Sequence, residues 1–318
     1  MILKRFGAMI LAIVFCIGLP SGAANADSLD TMVFSDGSEL IVQQIDDAEE
    51  LTIAEPYQGT MLSEEELFDL GVNIDSYHDV EDLLALEPVT NELGISAIIG
   101  IDTRVRTYTT SYPARAVVLI TFNAGFCTGW LIGPDTVVTA GHCVHSGGTL
   151  GDWYSNYTIY PGRNQSIIPY GSCGAMWLAS VTGWTEQKNE NYDYGAIKLD
   201  CDVGDDIGYF GFMWKKGKKK MKNYPAAISG YPADKNFDQW QSHNKVRVSK
   251  KKQIFYENDT IAGMSGSPVW YDNYTYGPVA IGIHTMGPHG LGPHSIYNHG
   301  TRIDKGVFNN LMYWRTAQ

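Results

Sequence analysis

The strongest constraint on this 318-residue chain is a pair of short motifs that must meet in space although they stand far apart in sequence. One is Thr139-Ala140-Gly141-His142-Cys143. The other, Gly263-Met264-Ser265-Gly266-Ser267-Pro268, places its serine 123 positions beyond the histidine. A serine hydroxyl is a poor nucleophile at neutral pH and needs an imidazole to take its proton. That imidazole needs a buried carboxylate to fix its tautomer and stabilise its cation. The glycines around Ser265 let the backbone turn sharply, so that the N–H groups of Gly263 and Ser265 face a developing oxyanion. The fold therefore has to carry a histidine turn and a serine turn from separate regions into one cleft.

The third member is expected between the other two, in the chain order His, Asp, Ser. Asp193, in Asn191-Tyr192-Asp193-Tyr194-Gly195-Ala196-Ile197-Lys198-Leu199, stands just before an apolar strand-like run that would hold a carboxylate rigidly. The competing acids are less apt. Asp152, Glu186 and Glu190 lie in polar stretches that read as loops, and residues 200–206 form an acidic turn.

Charge divides the chain. Residues 27–95 hold 19 acidic side chains and no Lys or Arg, whereas 96–318 hold 16 acids against 21 bases. An acidic leader before a basic body reads as a pro-segment held to its own enzyme by electrostatic complementarity. Within it, Ser63-Glu64-Glu65-Glu66 is a capping-box pattern for a short helix ending at Gly71, and a second helical patch runs from Val80 to Leu86 before Pro88. Residues 1–26 read as a signal peptide: Lys4 and Arg5, a short apolar run over 7–20, and Ala24-Asn25-Ala26 as the cleavage site. The domains expected are thus 1–26 signal peptide, 27–95 acidic pro-segment and 96–318 the body. The product is secreted, with no membrane partner after the signal is removed, and is expected to be a monomer.

Export permits disulfides. Four cysteines remain in the body, which allows three connectivities. Cys127 and Cys143 bracket a strand, a Gly133-Pro134-Asp135 turn and a second strand, which favours pairing them and leaves Cys173 with Cys201. The spacings match no zinc pattern, so no metal and no cofactor is expected. The body reads as all-β, with strand-like runs at 116–122, 129–132, 136–140, 157–160, 196–199, 226–230, 245–248, 267–270 and 279–284. A final helix is capped by Asp304, with Val307, Phe308, Leu311 and Trp314 on one face.

At these motifs the chain resembles the bacterial glutamyl endopeptidases, chymotrypsin-like secreted serine proteases that cleave after Glu and less after Asp. The resembling segments include Cys127-Thr128-Gly129-Trp130-Leu131-Ile132-Gly133-Pro134, Tyr160-Pro161-Gly162-Arg163-Asn164, Ile228-Ser229-Gly230-Tyr231-Pro232, Ser265-Gly266-Ser267-Pro268-Val269 and Gly300-Thr301-Arg302-Ile303. The resemblance implies two six-stranded antiparallel β-barrels with the triad between them. His142 and Asp193 would come from the first barrel and Ser265 from the second, acting on protein or peptide substrates. It also implies that His284 and Thr260 read the glutamate side chain, with help in some members from the mature α-amino group, here near Ser96 or Ala97. A protonated imidazole and a hydroxyl are sound donors to a carboxylate.

Asp259, six residues before Ser265, opens another reading. At that spacing in trypsin-like enzymes an acid selects Lys or Arg, so under the Glu reading Asp259 must point elsewhere or pair with a cation. A protease-shaped binding module without activity is a third reading, disfavoured because all three triad candidates are present. The lysine runs over 215–222 and 250–252 read as solvated loops. His289, His294 and His299, among Gly and Pro, read as loop decoration, and no nucleic-acid motif is present.

Overall fold

The computed structural model of the protein describes residues 28–42, 51–60, 97–217 and 221–317. The expected signal peptide and the helices at 63–71 and 80–86 lie outside the described residues. The acidic leader contributes β1 (Met32–Phe34), β2 (Glu39–Leu40) and β3 (Leu51–Ala54), and β4 (Val105–Arg106) follows. A first group comprises β5 (Val117–Phe122), β6 (Gly125–Leu131), β7 (Thr136–Thr139), β8 (Thr158–Pro161), β9 (Ala175–Val181) and β10 (Gly195–Leu199). After β11 (Gly211–Lys215) comes a second group: β12 (Pro225–Gly230), β13 (Trp240–Ser249), β14 (Gln253–Tyr256), β15 (Pro268–Asn273), β16 (Gly277–Met286) and β17 (Asn298–Arg302).

The second group closes on itself. Its order is β12-β13-β14-β17-β16-β15, and β15 pairs again with β12. The first group runs β9-β10-β7-β6-β5-β8, and Ile159 of β8 bridges Cys173 just before β9, bringing the two ends of the row together. This is the all-β, two-barrel architecture, with the Lys305–Thr316 helix at its end. Strands β5, β6, β7 and β10 are buried along their whole length. One side fills the barrel and the other packs against the rest of the molecule, so these strands read as apolar runs rather than as alternation. Both disulfides, Cys127–Cys143 and Cys173–Cys201, are formed.

The leader enlarges both sheets. Strand β1 pairs with β9, and β3 pairs with β11, which itself lies parallel to β16. Met32 and Ala54 are buried at these joints, and Phe34 packs edge-on against Trp177. Asp30 adds an ion pair with Lys252 at 2.7 Å. Most of the acidic side chains on which the expected electrostatic docking rests lie outside the described residues.

Asp304 caps the final helix as expected, its side chain accepting from Val307 N at 3.1 Å, and it also lies 3.1 Å from Lys252. Val307, Phe308, Leu311 and Trp314 are all buried. Asp304→Ala should cost about 1–2 kcal/mol, the range for losing a helix cap. The urea midpoint of the Ser265→Ala background, which cannot digest itself, is the measurement. An unchanged midpoint would show that the cap carries no stability.

Candidate active site

The histidine turn (Gly141–Cys143) follows β7 directly and is tied to β6 through Cys143 and Cys127. Asp193 follows a 3-10 turn, Glu190–Tyr192, and precedes β10. The two meet closely. One oxygen of Asp193 accepts from His142 N at 2.8 Å, and the other lies 2.7 Å from His142 Nδ1. The carboxylate is fully buried. It therefore holds the imidazole proton on Nδ1 and leaves Nε2 with its lone pair. Nε2 is itself buried and has no hydrogen-bond partner among the described residues.

Ser265 sits in a turn closed by Met264 N to Ile261 O at 3.0 Å and Ser267 N to Met264 O at 3.0 Å. Gly263 and Gly266 have φ of +92° and +88°. A β-carbon on Gly266 would lie 2.1 Å from Thr128 O, so only glycine fits there. The first barrel holds this turn through Thr128. Its N–H donates to Ser265 O at 2.9 Å, and its hydroxyl donates to Gly263 O at 2.9 Å while accepting from Tyr231 N at 2.9 Å. The turn is anchored to β16 by Gly266 N to His284 O at 2.7 Å and His284 N to Ser267 O at 2.8 Å. No hydrogen bond joins Ser265 Oγ to His142 Nε2 in this state, as happens in substrate-free sites where the contact tightens on binding.

The residues expected to read the substrate lie beside this turn. Thr260 is fully buried, and its hydroxyl has no partner among the described residues. His284 is also fully buried, with Nδ1 2.8 Å from Tyr256 OH. Burial first, then the positive potential of His299 and His142, pushes its pKa down to about 3, against a weaker opposing bond to the His299 backbone. The imidazole is thus neutral here, whereas a protonated ring was expected. Protonation waits for an anion, because a buried cation without one is costly.

The Asp259 carboxylate is already engaged. Its carboxylate accepts from Ile99 N at 2.8 Å and from both N and Oγ1 of Thr103, at 2.8 and 2.7 Å. Beside it, Ala97 is clasped by Asn298: Ala97 N donates to Oδ1 at 3.0 Å and Ala97 O accepts from Nδ2 at 2.6 Å. Thr260 N also donates to Ala97 O, at 3.3 Å.

Asn298 and Thr301 were not singled out as functional side chains. They lie on β17, whose polar sequence reads as loop although every residue of it is buried. The Thr301 hydroxyl donates to Asp193 O at 2.9 Å and so pins the acid from the second barrel. His299, read as loop decoration, belongs to the same buried strand. Among the described residues, two of the groupings able to hold a metal involve disulfide sulfurs, which offer no thiolate, and the third is Glu190, His289 and His299.

The model of the trypsin family matches residues 101–307. The chain belongs to the trypsin family. It is a serine endopeptidase, acting on protein or peptide substrates. It is 41% identical over 236 residues to a glutamyl endopeptidase of Bacillus licheniformis, covering 72% of each chain. It is 35% identical over 314 residues to an extracellular metalloprotease of Bacillus subtilis, covering 96% of this chain and 93% of the relative. A solved Glu endopeptidase in complex with MPD superposes with a TM-score of 0.60 at 27% identity, over 70% of this chain and all of the other.

Buried neutral histidines give this trypsin-family member an acid limit. The pKa of His299 is also lowered, to about 4, by burial and by His289. Both histidines have folded values below the unfolded value near 6.5. Their stabilisation is therefore fully present above about pH 6.5 and is lost as the pH falls toward 4, by roughly 1.4 kcal/mol per unit for each group. Thermal melts of the Ser265→Ala form between pH 7.5 and 4.5 should show this decline, less steeply in His299→Gln. Equal slopes in the two forms would remove His299 from the account.

Proposed function

We propose that this chain is a secreted glutamyl endopeptidase whose catalytic triad is Ser265, His142 and Asp193. The observation that carries the reading is the double hold of Asp193 on His142, which leaves Nε2 unbonded and able to take a proton. Ser265 Oγ attacks the peptide carbonyl as His142 Nε2 removes its proton, and Asp193 stabilises the imidazolium. The oxyanion is received by the N–H groups of Gly263 and Ser265, neither of which has an acceptor among the described residues. His142 then protonates the leaving amine, and water releases the acyl group by the reverse sequence.

Glutamate specificity rests on three supports. The B. licheniformis relative is named for it. Asp259, the acid a Lys- or Arg-reading pocket would use, already has three donors. The Thr260 hydroxyl is buried with no partner among the described residues, and an incoming carboxylate would raise the His284 pKa and draw a proton to it. Residues 27–95 act as the pro-segment. With Ala97 clasped next to Thr260, trimming to Ser96 or Ala97 would deliver an α-amino group to the same neighbourhood. Secretion fits the extracellular relative and the leader sequence.

Ser265→Ala, His142→Ala and Asp193→Asn should each lower turnover on the order of 10⁴-fold, without additivity in the double variants. A fluorophosphonate should label wild type but not Ser265→Ala. The B. subtilis relative's name would imply metal-dependent hydrolysis. A chelator is expected to leave cleavage intact while a serine-directed reagent abolishes it, and the opposite result would overturn the serine mechanism. Specificity is tested by digesting a denatured protein and reading the cleaved bonds by mass spectrometry. Cuts after Glu are expected, and cuts confined to Lys and Arg would defeat the proposed roles of His284 and Thr260.

The form beginning at Asp27 should be weak on Glu substrates and gain activity on trimming, followed by N-terminal sequencing beside a timed assay. Full activity before trimming would remove the α-amino group from the reading.

A further inference from the structure

Glu190, His289 and His299 come from three segments. Glu190 lies in the 3-10 turn before Asp193, His289 in the connection between β16 and β17, and His299 on β17. Each offers one ligand atom, and these atoms all lie within 4.8 Å of one another. His289 Nδ1 is 3.0 Å from Gly287 O, a contact that requires its proton on Nδ1. His289 Nε2 is 3.1 and 3.2 Å from the two oxygens of Glu190. The contact sets an imidazole nitrogen and a carboxylate close enough to share one cation.

His299 completes the set. Its ring stacks on Phe255 at 5.0 Å and approaches the His289 ring at 4.9 Å. Its Nδ1 is buried with no partner among the described residues. A tetrahedral zinc ion, with bonds of about 2.0 Å, holds its ligand atoms roughly 3.3 Å apart. The Glu190–His289 spacing already meets that, and His299 needs only a small closure. The side chains of His289 and Glu190 are 19% and 26% exposed, so solvent reaches the group.

We propose that Glu190, His289 and His299 form a binding site for one divalent transition-metal ion of the zinc class. Two imidazoles and one carboxylate favour zinc over calcium or magnesium, which take oxygen ligands. The ion joins the turn that presents Asp193 to the β16–β17 hairpin that carries His284, and so links the two barrels. It takes no part in bond cleavage.

The test is calorimetric titration of Zn²⁺ into metal-free Ser265→Ala protein, with Co²⁺ absorption as a second readout. One ion per chain is expected, with tetrahedral d–d bands for Co²⁺. His289→Ala and Glu190→Gln should each weaken binding on the order of tenfold or more. His294→Ala should leave it unchanged, because His294 touches Phe255 but lies outside the group. Glu190→Gln keeps the shape of the side chain and so guards against a folding defect in the histidine variant. Absence of saturable binding, wild-type affinity in both ligand variants, or binding of Ca²⁺ in place of Zn²⁺ would each overturn the proposal.

Discussion

The arrangement of the cleft depends on one buried threonine. Thr128 lies next to Cys127, whose disulfide partner Cys143 adjoins His142, and it bonds to Ser265, Gly263 and Tyr231 across the gap between barrels. Its carbonyl also accepts from Thr139 Oγ1 at 2.8 Å. His142 and Ser265 are thus referred to a single residue rather than to the relative drift of two barrels. In a buried setting such bonds are costly to leave unmade, so their loss would be felt well beyond the contact itself.

A second seam runs through β17. Thr301 fixes the backbone of Asp193, while Asn298 clasps Ala97 and donates to Asn258 O at 2.8 Å, next to Asp259 and Thr260. The acid and the candidate specificity wall are therefore registered by neighbouring residues of one strand. Positions on such a strand are set by the ladder with β16 and β14, which is stiffer than a loop.

Much of this was legible in the sequence, for physical reasons that differ by residue. The turns at His142 and Ser265 stand out because of the glycines around them, and Asp193 stands out because an apolar strand follows it. The final helix shows because Asp304 and four apolar residues obey its period. Strand β17 was hidden because Asn298, His299, Thr301 and Arg302 are polar yet buried, reversing the usual pattern. The pairings of β1 and β3 were hidden because strand addition uses main-chain groups that leave little trace in side-chain identity. Asp259 was ambiguous because spacing reports a position and not a direction, and its donors, Ile99 and Thr103, stand too far off in sequence for spacing to reveal them.

The strand additions have a consequence for any form of the chain that lacks residues 28–60. Asp30 shares Lys252, Tyr194 and the backbone contact to Asn310, so β1 is held at its base as well as along its ladder. Without this piece, β9 and β11 would lose their outer neighbours together, and two rows of unpaired amides and carbonyls would face solvent at once. Bare strand edges recruit other chains. Under the proposed trimming, colloidal fate would then be decided at the same step as catalytic competence.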